Sequence, residues 1–147
     1  MAEQLQSLQD RLDVADLLAA YSTALDTKDW DALRKVFTPD AGCDYGTLGT
    51  PSGVDEIIVL VSKTLESLDV TQHLVGNVTV QVTGDEATAG AYLIAQHLRA
   101  GTPGGDTYLM GSTYTDALVR TPEGWRIRHR TMTRLWATGN RDVITRS

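Results

Sequence analysis

His73 stands at the head of a β-branched run, Thr71-Gln72-His73-Leu74-Val75-Gly76-Asn77-Val78-Thr79-Val80. Earlier in the chain, Asp26 interrupts the end of an apolar helical stripe. A histidine is the side chain best matched to proton transfer near neutral pH. A carboxylate bonded to one ring nitrogen fixes the tautomer and raises the basicity of the other. It also stabilises the imidazolium that forms when a proton is taken. If the fold brings these two together, His73 can remove a proton next to a carbonyl, or one β to a leaving group. The reaction class is then 1,2-elimination, dehydration or enolate-type isomerisation. Such a site needs no metal and no cofactor.

The elements that must position this pair can be read from periodicity. Apolar residues at Leu5, Leu8, Leu12, Ala15, Leu18, Ser22 and Leu25 follow a 3.6 period and predict a helix over 4–26, with Asp10, Asp13 and Asp16 on its other face. Asp29 is an N-cap for a short helix from Trp30 to Phe37, which Thr38-Pro39-Asp40 ends. A short strand is expected from Gly42 to Leu48, and a helix from Val54 to Leu68 with Ile57, Ile58, Val61, Leu65 and Leu68 buried. Four long strands follow, at Val70 to Val82, Ala87 to Arg99, Thr107 to Arg120 and Trp125 to Trp136. The glycine-rich loop 101–105 is expected to be exposed and flexible, and residues 139–147 polar and frayed. Helices first and antiparallel strands afterwards predict an α+β fold. A curved, mostly antiparallel sheet would wrap as a cone around the N-terminal helices, leaving a pocket on its concave face.

The chain has 147 residues, which predicts one domain spanning 1–147, with a core of about 8–136 and a polar tail at 137–147. A net charge of −6 disfavours binding to nucleic acid. The single cysteine, Cys43, excludes an intrachain disulfide and any multi-cysteine zinc site, and reads as a small buried hydrophobe. No run is apolar enough to span a membrane and no secretory signal opens the chain, so a cytoplasmic location is the expectation.

Several short motifs, in order, carry a family resemblance. They are Tyr21 with Leu25-Asp26, Asp29-Trp30-Asp31-Ala32-Leu33, Gln72-His73-Leu74-Val75-Gly76-Asn77 and Gly84-Asp85-Glu86-Ala87, then Gly111-Ser112-Thr113-Tyr114 and Gly124-Trp125-Arg126-Ile127. Together they resemble the SnoaL-like branch of the nuclear-transport-factor-2-like superfamily, over about residues 8–136. The likeness is greatest to scytalone dehydratase, lindane dehydrochlorinase and bile-acid 7α-dehydratase. Those enzymes pair an aspartate at the end of the first helix with a histidine at the head of a strand, matched here by Asp26 and His73. The resemblance further implies catalytic roles for Tyr21, as a donor to a departing hydroxyl or enolate oxygen, and for Arg130, against developing negative charge. His97, Tyr114, Trp30 and Tyr45 complete the set expected to meet a small hydrophobic substrate such as a steroid, polyketide or aromatic intermediate. The fold also hosts non-catalytic binding and assembly modules, and the structural small subunits of ring-hydroxylating dioxygenases. An apolar outer face of the curved sheet predicts a homo-oligomer, dimer or trimer.

Two points of geometry stand against the dyad. In strict alternation His73 shares a face with Val75 and Asn77, opposite Leu74, Val78 and Val80, and Arg130 falls opposite Trp125, Ile127 and His129. Either Gly76 hosts a β-bulge that changes the facing, or the more polar face lines the cavity. Tyr21 and Asp26 are also about 140° apart on an ideal helix. Each residue has a plainer structural reading: a strand histidine bonded to backbone, an aspartate capping a turn, a core tyrosine, an arginine paired with an acid. His129, flanked by arginines, reads as structural, and no pair of histidines has metal-ligand spacing.

Overall fold

A computed structural model describes residues 1–145. The last two residues of the expected polar tail, Arg146 and Ser147, lie outside the described residues. Helix α1 runs over Ala2–Asp26, α2 over Trp30–Arg34 and α3 over Val54–Leu65. The strands are β1 (Phe37–Asp44), β2 (Val70–Thr83), β3 (Glu86–Leu98), β4 (Thr107–Thr121) and β5 (Gly124–Gly139), and a last short helix α4 spans Asp142–Thr145. The sheet order is β1-β5-β4-β3-β2. β1 lies parallel to β5 and the other neighbours are antiparallel. Helices packed against a curved, mostly antiparallel sheet make the α+β architecture that the order of elements predicts.

The helices depart from expectation where distant partners decide. Along α1 the expected stripe holds only in the second half, where Val14, Leu18, Tyr21, Ser22 and Leu25 are buried. Leu5, Leu8 and Leu12 are more than half exposed, at 59%, 53% and 53%. Asp10, expected on the wet face, is buried instead. Its two carboxylate oxygens accept from Arg120 at 2.8 and 2.9 Å, and the Trp125 indole adds a third donor at 3.2 Å. Asp29 caps α2 as expected, accepting from the Ala32 NH at 3.0 Å. That helix stops at Arg34 because Phe37 already pairs with Ile127 of β5. β1 therefore begins earlier than expected, and Gly46–Leu48 forms a 3₁₀ turn rather than strand.

Besides a shift between β1 and β5, three irregularities in register set the curvature and the facing of the site. Between Gly76 and Thr79, three steps along β2 match two along β3, Tyr92 to Gly90. The extra residue is a bulge, with Asn77 at φ 52°. Ahead of it His73 pairs with Ala95 and Val75 with Leu93, and both partners are buried. Beyond it Val80 pairs with buried Ala89 and Val82 with buried Ala87. The bulge thus lets His73 and Val80 face the same concave side despite opposite parity. A second slip, between Ala117 and Leu118, does the same on β5: two steps, Ile127 to His129, face one step of β4. Ile127 and Arg130 both end up inside as a result. The third slip, at Gly111 and Ser112, falls opposite Leu135.

The end of the chain is also more ordered than expected. Asn140 donates from its side-chain amide to the carbonyls of Pro103 and Gly105, at 3.0 and 2.9 Å, and from its backbone to Thr107 at 2.8 Å. These bonds tie the glycine loop to the last turn. They set α4 against the body of the protein, where Val143 and Ile144 are buried.

Candidate active site

α1 ends in a turn that fixes Asp26. Lys28 takes a left-handed φ of 54°, and its backbone NH donates to Leu25 at 3.1 Å. The Lys28 ammonium donates to the carbonyls of Glu66 and Leu68 at 2.8 and 2.6 Å, just past the end of α3. A cation there also suits the negative end of that helix. The Asp26 carboxylate then meets β2. Its Oδ1 lies 2.6 Å from His73 Nδ1 and accepts from the Thr71 hydroxyl at 2.9 Å, while Oδ2 accepts from the His73 backbone NH at 2.9 Å. Burial pushes this carboxyl up, but the bonds from the His73 ring and backbone and from Thr71 outweigh it and hold it below its ordinary range. Asp26 is thus a carboxylate at neutral pH. His73 Nδ1 carries the proton toward it, and Nε2 is left as the base.

His73 lines an apolar cavity of about 60 Å³ with Tyr21, Leu25, Tyr45, His97 and Met110 among its walls. Asp26 is not a wall residue; it holds His73 from behind. Tyr21 and Asp26 therefore need not share a face of α1, and the angle between them is no obstacle. The Tyr21 and Tyr45 hydroxyls are 2.8 Å apart. Burial raises the pKa of Tyr21 and lifts that of Tyr45 well above a free phenol. Both stay protonated and remain hydrogen-bond donors. His97 Nδ1 lies 2.9 Å from the Tyr108 carbonyl, and its ring meets that of His73 edge-on at 5.7 Å. Burial drives the His97 pKa down to about 4, so the ring is neutral, with Nδ1–H donating and Nε2 able to accept.

Three expected contacts do not reach the cavity. Arg130 is fully buried in a bidentate pair with Asp116, at 2.7 and 2.8 Å. Its guanidinium is stacked between the rings of Tyr21 and Tyr114, at 4.2 and 3.7 Å from their centroids. It supports Tyr21 from below and does not line the cavity: the bulge in β5 brings it to the inner face, where the Asp116 pair and the Tyr21 and Tyr114 rings hold it in the core. Tyr114 is buried in the same stack and lies edge-on to Tyr21. Trp30 sits outside, its indole donating to Glu66 at 2.8 Å. Sequence reasoning missed Thr71, the second side-chain donor to Asp26; its place two residues before His73 on the same face was the available signal. It also missed the apolar walls Met110, Met132 and Ile144, which no local pattern distinguishes from ordinary core. Cys43 is buried and unpaired as expected, its thiol pushed up to about 11 by burial. Among the described residues, no three His, Cys, Asp or Glu side chains are grouped to hold a metal ion.

The SnoaL-like domain matches residues 6–131. An uncharacterised protein of Mycobacterium tuberculosis is 38% identical over 128 residues, 86% of each chain. An NTF2-like protein with a cystatin-like fold from Novosphingobium aromaticivorans is 30% identical, with a TM-score of 0.81 over 91% of this chain and 87% of that one. A scytalone-dehydratase-like protein from the same organism has a TM-score of 0.84 at 18% identity, over 95% of this chain and 92% of that one. A type 2 hexachlorocyclohexane dehydrochlorinase has a TM-score of 0.83 at 18% identity, over 93% of each chain. At 18% these last two likenesses speak to fold alone. By the span matched and the identity to its relatives, this chain belongs to the SnoaL-like domain family and has the NTF2-like fold.

Proposed function

We propose that the protein is a cofactor-independent lyase or isomerase that moves a proton on a small, largely apolar ring compound. The observation that carries this reading is the His73–Asp26 pair, at 2.6 Å, on the wall of an apolar cavity that also holds the paired hydroxyls of Tyr21 and Tyr45. His73 Nε2 takes a proton from the carbon next to a carbonyl, and the C–H electron pair moves into an enolate or a new double bond. Asp26 stabilises the imidazolium. Tyr21 and Tyr45 resist ionisation and share one proton in the hydrogen bond between them, so the pair donates its other O–H to the substrate oxygen that gains charge. In a dehydration the proton that leaves with the hydroxyl as water is then the one held on His73. In an isomerisation it returns to a different carbon. Two proteins of like fold, a scytalone-dehydratase-like protein and a hexachlorocyclohexane dehydrochlorinase, bear names that suit this chemistry.

A panel of cyclic β-hydroxyketones and cyclic enones provides the test, read by loss of water or by uptake of solvent deuterium at carbon. Wild type is expected to turn over at least one member. His73→Ala should lower kcat by about 10²- to 10⁴-fold, the range of a lost general base. Asp26→Asn should lower it too, since the amide no longer offsets the imidazolium charge. Turnover unchanged in both variants would sink the mechanism, and binding without conversion would mark a binding module.

A further inference from the structure

The mouth of the cavity carries charge that proton transfer does not use. A second chamber, of about 210 Å³, adjoins the inner one and shares Tyr45, Leu48, Met110, Met132 and Ile144 with it as walls. Arg134 and Arg141 line the outer chamber and not the inner. They come from different elements. Arg134 is on β5, opposite buried Ser112, on the concave face beside the slip at Leu135. Arg141 is in the turn before α4, which the Asn140 bonds hold in place.

The partners of these two guanidinium groups are neutral. Arg134 Nη1 donates to the Tyr108 hydroxyl at 3.1 Å, and Arg141 Nη2 donates to the Thr47 hydroxyl at 2.6 Å. Among the described residues, no aspartate or glutamate lines the chamber. In this acidic chain, of net charge −6, Arg34, Arg120, Arg128 and Arg130 each pair with an Asp or Glu. Arg134 and Arg141 form no such pair with a described residue. A guanidinium carries five N–H donors, so each keeps donors in hand after the bond to its hydroxyl partner. Its planar fork matches a carboxylate two oxygens at a time.

We infer that the outer chamber is a carboxylate subsite: the substrate is amphipathic, with an apolar end beside His73 and an anionic end held by Arg134 and Arg141. This rests on the proposed function only in taking the inner chamber as the seat of the reacting end. The Met110 and Met132 side chains between the chambers are unbranched and adaptable, so they can part around a linking chain.

The test is calorimetric binding of phenylpropanoate, phenylpentanoate and phenylheptanoate, each against its primary amide, which keeps the shape and removes the charge. At the length that spans the two chambers the acid should bind about tenfold more tightly than the amide, the gain of a charge-assisted bidentate contact over a neutral one. Arg134→Gln/Arg141→Gln should abolish that preference, with a melting temperature like that of wild type showing that the fold is intact. Arg134→Lys/Arg141→Lys should restore part of it. Equal binding of acid and amide at every length, no binding of any acid, or a preference that survives the glutamine pair overturns the subsite. His73→Ala should keep the preference, so failure of the proton-transfer reading and failure of the subsite give different results.

Discussion

At the scale of single residues, burial and hydrogen bonding set the charge of the ionisable groups in the candidate site. Asp26 stays charged because three hydrogen bonds outweigh its burial, and His97 stays neutral because burial outweighs its one carbonyl contact. These choices appear in the acid stability of the fold. His97 falls from an ordinary value of 6.5 to about 4. Below pH 6.5 the unfolded chain takes up a proton that the native ring refuses, so stability declines as pH falls from 6.5 toward 4. Asp10 is held at about 2, chiefly by the Arg120 hydrogen bonds, against an ordinary 3.8. Its contribution is fully present above pH 3.8 and is lost as pH falls toward 2. Urea midpoints taken across pH should therefore fall in two stages. His97→Gln should flatten the upper stage. Asp10→Asn should lower stability at neutral pH and flatten part of the lower one. A single stage untouched by either substitution would contradict these assignments.

At the scale of elements, the decisive structure is the bulge in β2. A strand alternates strictly, so one inserted residue exchanges its two faces beyond the insertion. Asn77 is that residue, in the left-handed region at φ 52°. Asparagine tolerates this region because its short amide can bond locally, and β-branched side chains do not. Asn77→Val should thus cost about 1–2 kcal/mol of stability, while Asn77→Gly should change it by no more than a few tenths. Denaturant unfolding checks both. Equal stabilities for the valine and glycine variants would mean that the backbone at Asn77 is not under this constraint. Lys28 plays a like part at the other side of the dyad, where a left-handed residue and its ammonium join the ends of α1 and α3. Gly76 made a bulge readable as one of two ways to turn His73 inward, and the left-handed residue is its neighbour Asn77. Nothing local marked the slip in β5 that takes Arg130 into the core.

At the scale of the whole molecule, the same curvature that makes a cavity inside leaves an apolar face outside. Leu74, Ile94, Gly111 and Trp136 fall in one register row across β2, β3, β4 and β5. Leu74, Ile94 and Trp136 are 66%, 47% and 44% exposed, and Tyr92 beside them is 57% exposed. Gly111 leaves room for the Trp136 indole to lie flat on the sheet, since a Cβ there would collide with it. A flat apolar patch of this kind favours association with a second copy through the same face. Sedimentation at micromolar concentration is expected to give a dimer or trimer. Leu74→Asp/Trp136→Asp should shift the mass to the monomer with secondary structure intact. A monomeric wild type would show that this face stays exposed to water.

The sequence by itself determined the order of elements as far as β5, the α+β class, the family and the two residues, Asp26 and His73, that meet in the candidate site. These depend on local periodicity and on short motifs, which survive in a linear reading. It also determined that Asp29 caps α2 and that Cys43 is buried. Only the tertiary structure decided which residues face the cavity. Facing depends on register, and register depends on bulges that are set by pairing with strands elsewhere in the chain. Packing across more than 100 residues likewise turned Asp10 inward and left Leu5, Leu8 and Leu12 outside. His73 and Asp26 meet because a bulge in one strand and a left-handed residue after one helix agree in three dimensions, and no one-dimensional pattern records that agreement.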